Sequence, residues 1–338
     1  MSVPRTAQKR GADAGTHRLR VTPDNFVRAE SHGQFMAVVK RGGFGRLVHE
    51  RDFQPAGREP AAWADCDVLR SRGVFDLEAG PVVVTLPETG VRFMSLEVLD
   101  EDHYTVASFY GAGTYSFSYD NVSTRYMLVI VRILVDAAEG ADFAAVHALQ
   151  DAIGVRRQGG GRFVVPDWDP VSQARVRAAL QLLGNTAAGE ERAFGARGEV
   201  DPVRHLIGAA TRWEGCPTRH VACLAGVPQY DDGQVVHRLD IGHVPVDGFW
   251  SVTVYDGNGR FLTDVPARRA VNGRGAGHAA HRPMSVQFGG CLEADCNCLL
   301  IGKGWRYIVR LYRPRAEVLG GRWMFPEAVP VHSPGSLS

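Results

Sequence analysis

Apolar residues at three- and four-residue steps mark the first predicted element. This spacing, typical of one face of an α-helix, is kept by Phe26, Ala29, Gly33, Met36 and Ala37. The preceding Thr-Pro-Asp-Asn supplies a capping hydroxyl, a proline suited to the first helical turn and an acid near the positive end of the helix dipole. The pattern predicts an amphipathic helix that ends near Lys40.

After Gly73 the pattern changes to that of β-strands. Short runs rich in valine, threonine and aromatic residues, bounded by glycine and proline, are typical of antiparallel strands. Such runs lie at 82–86, 92–99, 104–110, 114–119 and 124–135. They predict one sheet or sandwich between residues 73 and 135.

Helical spacing returns in the middle of the chain. It is seen in the segments 142–153, 169–183, 187–196 and 202–211. The pairs Asp169-Pro170 and Asp201-Pro202 each place a capping acid before a proline at the first helical position. We therefore predict a helical segment that connects two β-rich parts.

Strand patterns resume at 219–225, 234–241, 248–256, 260–264, 284–288 and 305–312. The predicted fold class is therefore α+β and multidomain, with two antiparallel β-sandwich or jelly-roll-like domains joined by helices. The predicted parts are a disordered tail (1–20), a helix with the first β-rich domain (21–135), the helical connector (136–212), the second β-rich domain (213–330) and a tail (331–338).

Charge and motif content narrow the classes of function. Thirty-eight Lys and Arg against 37 Asp and Glu leave a net charge of +1, which gives no field that would attract nucleic acid or an anionic membrane. No apolar run approaches the roughly 20 residues of a membrane helix, and the basic first twenty residues lack the apolar stretch of a secretory signal. We expect a cytoplasmic protein whose partner is a small-molecule ligand, without nucleic-acid or membrane partners. A homo-oligomer stays open.

Two stretches carry a family resemblance. Residues 76–87, Asp-Leu-Glu-Ala-Gly-Pro-Val-Val-Val-Thr-Leu-Pro, with Arg92-Phe93, resemble the domain of unknown function DUF1254. Residues 247–256, Asp-Gly-Phe-Trp-Ser-Val-Thr-Val-Tyr-Asp, with Arg-Leu-Tyr-Arg-Pro at 310–314, are similar to its usual companion, DUF1214. The resemblance covers about residues 20 to 330 and implies a β-sandwich, a helical segment and a second β-domain. It brings no established reaction.

The resemblance also suggests a ligand-facing segment. In the first family a polar stretch ending in Asp-Thr-Leu-Tyr-Ser precedes the Gly-Pro strand, and the matching residues here run from Asp67 to Ser71, with Arg70 in the place of tyrosine. Arg70 could make a bidentate contact with a substrate carboxylate, with Asp67 and Ser71 beside it. The alternative is a strand-entry turn with a local ion pair.

A second polar group ends a predicted strand. Asp100 and His103 lie there among further acids, and neighbouring carboxylates can raise one another's pKa for acid–base work or bind a cation. The alternative is a solvated loop. Trp250 lies on an alternating strand and is either part of the core or the wall of a ligand site.

These residues lead to two functional hypotheses. In the first, the protein is an enzyme that acts on a small, carboxylate-bearing molecule in a cleft between the β-domains, with hydrolysis as one option. Trp250 would bind the ligand. The catalytic residues would be Asp67, Arg70, Ser71, Asp100 and His103. No Gly-x-Ser-x-Gly, His-Glu-x-x-His, Walker or Gly-x-Gly-x-x-Gly motif supports a standard enzyme class. In the second, the same cleft belongs to a non-catalytic ligand-binding or assembly module.

A cysteine cluster lies in a glycine-rich link. Cys291, Cys296 and Cys298 follow His281, and three thiolates with one imidazole could complete a tetrahedral structural zinc site. The Cys-x4-Cys-x-Cys spacing is not that of a usual zinc knuckle. A redox or disulfide role and unreactive loop thiols stay open.

Overall fold

The computed structural model describes residues 18–58, 62–137, 140–186, 189, 191–265, 269–273, 283–292 and 297–331. In this part of the chain the fold is α+β and multidomain, with helices between two groups of sheets, as predicted. The helices are α1 (Phe26–Lys40), α2 (Tyr119–Val122), α3 (Gly140–Asp151), α4 (Pro170–Gly184), α5 (Pro202–Thr211) and α6 (Ala316–Leu319). None of these helices is long and apolar enough to cross a bilayer.

The strands fall into two groups. The first group is β1 (Val48–His49), β2 (Val68–Asp76), β3 (Val82–Leu86), β4 (Met94–Asp100), β5 (Thr105–Tyr110), β6 (Gly113–Phe117), β7 (Tyr126–Leu134) and β8 (Gly154–Arg157). The second group is β9 (Val221–Gly226), β10 (His237–Ile241), β11 (Trp250–Tyr255), β12 (Ala270–Gly273), β13 (Met284–Phe288), β14 (Cys298–Leu299), β15 (Arg306–Tyr312) and β16 (Val329–Pro330).

The first group forms a sandwich of two sheets, which we call the first β-region. A five-stranded sheet has the order β1-β2-β7-β4-β5, and a three-stranded sheet has the order β6-β3-β8. Their shared core is apolar and includes Leu69, Leu96 and Val131 from the larger sheet and Val82 and Val84 from the smaller one. Strand β8 lies inside the segment that was predicted as a helical connector. It belongs to the first β-region, because it completes the smaller sheet by pairing with β3.

The second group forms another pair of sheets, the second β-region. Four strands follow the order β12-β11-β15-β9 and four follow β14-β13-β10-β16. Alternate residues such as Trp250 and Val252 point into the core between these sheets, where they meet Leu239 and Phe288. The pairing is antiparallel except between β13 and β14, which run parallel.

The five-stranded sheet has a second face, turned away from its own sandwich core. Since side chains alternate along a strand, this face carries Arg70 and Arg72 of β2 and, directly opposite Arg70, Arg132 of β7. We call it the arginine face and the opposite one the core face. One end of the arginine face is apolar and packs on α1. At its other end Val68 joins a cluster with Phe249 of the second β-region.

Three local predictions differ from the structure. The residues at 68–71, for which a strand-entry turn was one of two alternatives, are already part of β2. Residues 191–196 of a predicted helix form turns and bends, since Gly195 has a φ of 145° that no helix contains. The predicted strand 260–264 is a loop, because the Asp256 carboxylate accepts the backbone N–H groups of Asn258 and Arg260 and closes the chain into a turn.

Candidate functional site

A cavity of about 170 Å³ lies between the arginine face and the β12-β11-β15-β9 sheet. Arg70, Arg72 and Arg132 line it on one side, and Arg310 and Tyr312 of β15 line it on the other. The segments 62–65 and 212–216 close its edges. Because an apolar cavity of ~150 Å³ can hold benzene, this one has room for a small organic molecule.

Two arginines of the arginine face are held by carboxylates. Arg132 donates from Nη1 to Oε2 of Glu97 at 2.7 Å, and both side chains are almost fully buried. Arg72 donates to Glu50 at 2.6 Å and to Glu214 at 2.9 Å. A buried charge without a partner is costly, and these ion pairs explain how the sheet tolerates both arginines.

The arginine on the facing sheet is held by neutral oxygens. Arg310 donates to the carbonyl oxygen of Trp63 at 2.6 Å and to the hydroxyl of Tyr255 at 2.8 Å. A further arginine of the cavity wall, Arg212, lies over the ring of Phe194, 5.6 Å from its centroid. These contacts fix both guanidinium groups at the cavity wall.

Arg70 is held much less tightly than these neighbours. Its Nε is buried and has no hydrogen-bond partner among the residues that the structure describes. The nearest carboxylate oxygen is Oδ2 of Asp65, 3.7 Å from Nη2, and this carboxylate already accepts a hydrogen bond from Tyr312. Trp213, which also lines the cavity, has a buried Nε1 that likewise lacks a partner in the described part of the chain. Nε of Arg72 also lacks a well-formed hydrogen bond, but it lies 2.8 Å from Oε1 of Glu214. Arg70 and Trp213 therefore each bring to the cavity wall a donor for which the described residues provide no acceptor.

Asp65 and Asp67 form a buried acidic pair with opposite pKa shifts. Burial favours the neutral form of both, but Arg310, Arg70 and the Tyr312 hydroxyl hold the pKa of Asp65 below its usual range. Burial and the negative charge of Asp65 raise the pKa of Asp67 to about 7. Asp67 accepts a hydrogen bond from Asn272 of β12 at 3.2 Å, so it joins the two β-regions without lining the cavity.

Ser71 points away from the cavity. It is the neighbour of Arg70 in β2, so it faces the opposite side of the sheet. Its hydroxyl oxygen lies 2.7 Å from Nδ1 of His49 in the adjacent strand, while burial and nearby Arg51 lower the pKa of His49. This is a serine–histidine contact, but Ser71 is fully buried, so the predicted shared pocket with Arg70 is not formed.

Asp100 shapes a turn at the end of β4. Its Oδ1 accepts the backbone N–H groups of Asp102 and Tyr104, each at 2.9 Å. Burial raises its pKa to about 6. The residue is not part of the cavity wall, which does not support the shared catalytic site. It is also buried, so the alternative of a solvated loop is wrong.

His103 supports the cavity wall from behind. Its ring stacks on Trp213, with centroids 4.9 Å apart, and its Nε2 accepts the backbone N–H of Glu214 at 3.3 Å. Burial and nearby His205 lower its pKa to about 3, so the ring is neutral at physiological pH. His103 thus positions two residues of the wall without touching the cavity.

Trp250 lies in the core of the second β-region. It is almost fully buried among apolar residues, and its ring meets Phe325 at 6.1 Å. The neighbouring Phe249 points to the other face of the sheet, as alternation requires. Of the two interpretations of Trp250, the structure supports the core residue and not the wall of a ligand site.

The predicted zinc site requires a correction. Cys291 and Cys298 are joined in a disulfide, and a sulfur in a disulfide is not the thiolate that binds zinc. The zinc prediction is therefore wrong for these two residues, while Cys296 and His281 lie outside the described residues. The disulfide role, one of the alternatives left open, is the one that the structure shows for this pair. The disulfide joins β14 to the loop after β13.

Several wall residues were missed by the sequence reasoning: Arg72, Arg132, Glu214, Arg310 and Tyr312. A signal for two of them was present, since Arg132 and Arg310 interrupt strands that are otherwise apolar or aromatic at buried positions. A charge in such a strand needs a partner or a polar cavity. No comparable pattern marks Glu214.

Two family models match the chain. The model described as "protein of unknown function (DUF1254)" matches residues 44–157, and the one described as "protein of unknown function (DUF1214)" matches residues 228–316. These matches confirm the predicted pairing and its order. No curated protein matches the chain.

Solved structures resemble this fold. The VPA0106 protein from Vibrio parahaemolyticus has a TM-score of 0.68 at 16% identity, covering 92% of this chain and 98% of its own. A putative uncharacterized protein from Burkholderia cenocepacia has a TM-score of 0.48 at 10% identity, covering 91% of this chain and 86% of its own. At such identity the first likeness supports the fold alone, since one fold serves many functions.

Proposed function

We propose that this chain, in which a DUF1254 match is followed by a DUF1214 match, binds a small carboxylate-bearing molecule in the cavity between its two β-regions. Each region supplies one wall of this cavity. The ligand carboxylate would be bound by Arg70.

The observation that carries this proposal is the state of Arg70. Its side chain is mostly buried, and its Nε has no hydrogen-bond partner in the described structure. A buried donor left unpaired costs free energy that a ligand acceptor would recover. A guanidinium group presents parallel N–H groups that match the two oxygens of a carboxylate.

The rest of the wall suits an organic ligand. Trp63, Trp213 and Val221 contribute apolar surface beside the arginines. Binding sites for small molecules commonly combine such surface with a few fixed polar groups. The volume and the lining therefore favour an organic acid over water alone.

The same site gives less support to hydrolysis. Burial raises the pKa of the Cys216 thiol to about 12, so this wall residue is not a thiolate. His103 is neutral and lies behind Trp213. No histidine is among the described residues that line the cavity. The carboxylate beside the Cys216 thiol belongs to Glu97, which is already paired with Arg132. We therefore favour the ligand-binding module over the hydrolytic enzyme.

Calorimetry and thermal unfolding with a panel of small carboxylic acids test this proposal. A ligand at about 100 times its Kd should stabilise the fold by about 2.7 kcal/mol. Arg70→Ala should weaken binding by about 1.5–3 kcal/mol, the usual worth of a hydrogen bond to a charged group, and Arg70→Lys should recover part of it. Arg238→Ala, which removes an exposed arginine of β10, is the matched control. Unchanged affinity in the Arg70→Ala protein, or no binding of any acid, would contradict the proposal.

A further inference from the structure

Resting on this proposed function, we propose that the cavity selects a monocarboxylate with an uncharged, ring-sized apolar body, and that it discriminates against dicarboxylates and inorganic anions. Three features of the cavity support this selectivity: the number of available guanidinium groups, the position of fixed negative charge and the apolar character of the remaining wall.

The cavity offers one guanidinium group suited to a carboxylate. Arg72 is bonded to Glu50 and Glu214, and Arg132 is bonded to Glu97. Arg310 and Arg212 are engaged by the contacts described above. A first carboxylate can pair with Arg70 without breaking an ion pair, whereas a second one must displace a protein carboxylate at Arg72 or Arg132 or the contacts that hold Arg310 and Arg212.

Fixed negative charge adds to this discrimination. Asp65 and Glu214 both line the cavity. Although burial favours their neutral forms, the neighbouring arginines hold the pKa of each below its usual range, so both are ionised at neutral pH. A second ligand carboxylate that lies next to Asp65 or Glu214 would be repelled by that residue, because like charges at short range repel strongly.

The remaining wall favours an apolar ring. Trp213 is fixed by the stacked ring of His103 and by the edge of Phe35, whose centroid lies 6.4 Å away. Trp63 packs on Tyr255 with centroids 5.2 Å apart. Rigid aromatic side chains of this kind bind flat apolar groups by stacked or edge contacts. The unpaired Nε1 of Trp213 adds one donor for a ligand oxygen.

Cavity size sets the scale of the ligand. The volume of about 170 Å³ is close to the ~150 Å³ cavity that takes up benzene. A ring that carries one carboxylate therefore fits this space, whereas phosphate or sulfate would leave the apolar wall in contact with water.

Calorimetry on the full chain at constant ionic strength tests this selectivity. The probes are benzoate, cyclohexanecarboxylate, isophthalate, benzamide and inorganic phosphate. We expect the two monocarboxylates to bind at least tenfold more tightly than isophthalate, benzamide or phosphate. Glu214→Gln removes one fixed negative charge and should narrow the gap between benzoate and isophthalate several-fold. Trp213→Leu should weaken benzoate binding more than Trp213→Phe.

The outcomes separate this inference from the proposed function. If isophthalate or phosphate binds the unaltered protein as tightly as benzoate, and Arg70→Ala abolishes that binding, the selectivity is overturned while the anion site stands. If no carboxylate binds, or if binding is indifferent to Arg70→Ala, the proposed function itself fails. The comparison of probes on the unaltered protein needs no variant to fold.

Discussion

The two faces of the five-stranded sheet use the same strands for opposite purposes. The core face carries aliphatic side chains such as Leu96 and Val131, which pack against the smaller sheet. The arginine face keeps apolar contacts only towards its ends and carries Arg70 and Arg132 between them. Alternation along each strand lets one sheet hold a sandwich together on one side and a polar cavity on the other. Substitutions one residue apart should therefore have different consequences.

The largest expected effect is on the arginine face. Arg132→Met leaves Glu97 as an unpaired buried charge, and breaking such a pair costs about 3–5 kcal/mol. The double variant Arg132→Met with Glu97→Leu removes both charges and should recover most of that stability. Urea unfolding measures both effects. A double variant as unstable as the single one would show that Arg132 matters through packing rather than through charge.

On the core face, Leu96→Ala should cost about 3 kcal/mol, because it removes buried methyl groups and leaves a cavity. The folded protein should nevertheless keep the affinity of the unaltered chain for benzoate, since Leu96 points away from the ligand. Urea unfolding gives the first quantity, and calorimetry well below the melting temperature gives the second. A matching loss of affinity would mean that the two faces are not independent.

Asp67, directly before β2, predicts a pH dependence of stability. Its pKa in the folded protein is raised to about 7 by burial and by Asp65, above the value of about 3.9 in an unfolded chain. The stability that protonated Asp67 contributes is therefore present at low pH and is lost as the pH rises towards and through 7. Relative to Asp67→Asn, the unaltered protein should lose roughly 2–3 kcal/mol between pH 5 and pH 8.

Urea unfolding of both proteins at several pH values measures this difference. The control is Asp240→Asn, because Asp240 is exposed and its pKa lies below its usual range through the hydrogen bond from Arg238, so it does not titrate in this window. Parallel stability curves for the unaltered protein and Asp67→Asn would show that Asp67 stays ionised.

The smallest expected effect concerns the charge next to Arg70. Glu214→Gln removes a negative charge that interacts with Arg70 and repels the carboxylate bound there, so the affinity for benzoate should rise by about 1 kcal/mol, in the range of a partly exposed ion pair. Glu78→Gln, on an exposed glutamate that pairs with Arg125, controls for the loss of a negative charge elsewhere. A weaker affinity after Glu214→Gln would indicate that the ion pair of Glu214 with Arg72 supports the shape of the site.

Local signals account for the parts of the fold that were predicted correctly. The carboxylates of Asp169 and Asp201 accept backbone N–H groups at the starts of α4 and α5, as their position before proline indicated. Arg70 was identified through a family resemblance. Trp250 could not be assigned from its own strand, because alternation alone does not tell which face of a sheet is covered.

The rest of the site depends on distant parts of the chain. Glu97 and Arg132 meet only because β4 and β7 pair in one particular register. The residues next to each of them in the sequence do not reveal that register. Glu214 follows the last connector helix and reaches Arg72 across the sheet. Such pairings are decided by the packing of sheets, which local spacing does not encode.

The origin of the cavity walls in two β-regions has a mechanical consequence. A molecule bound between Arg70 and Tyr312 would have to be released before the two halves could separate, so its binding free energy would add to the work of pulling them apart. The ligand would act as a removable cross-link between halves that are already joined by the polypeptide. Stretching a single molecule from its two ends would register that cross-link as a higher rupture force.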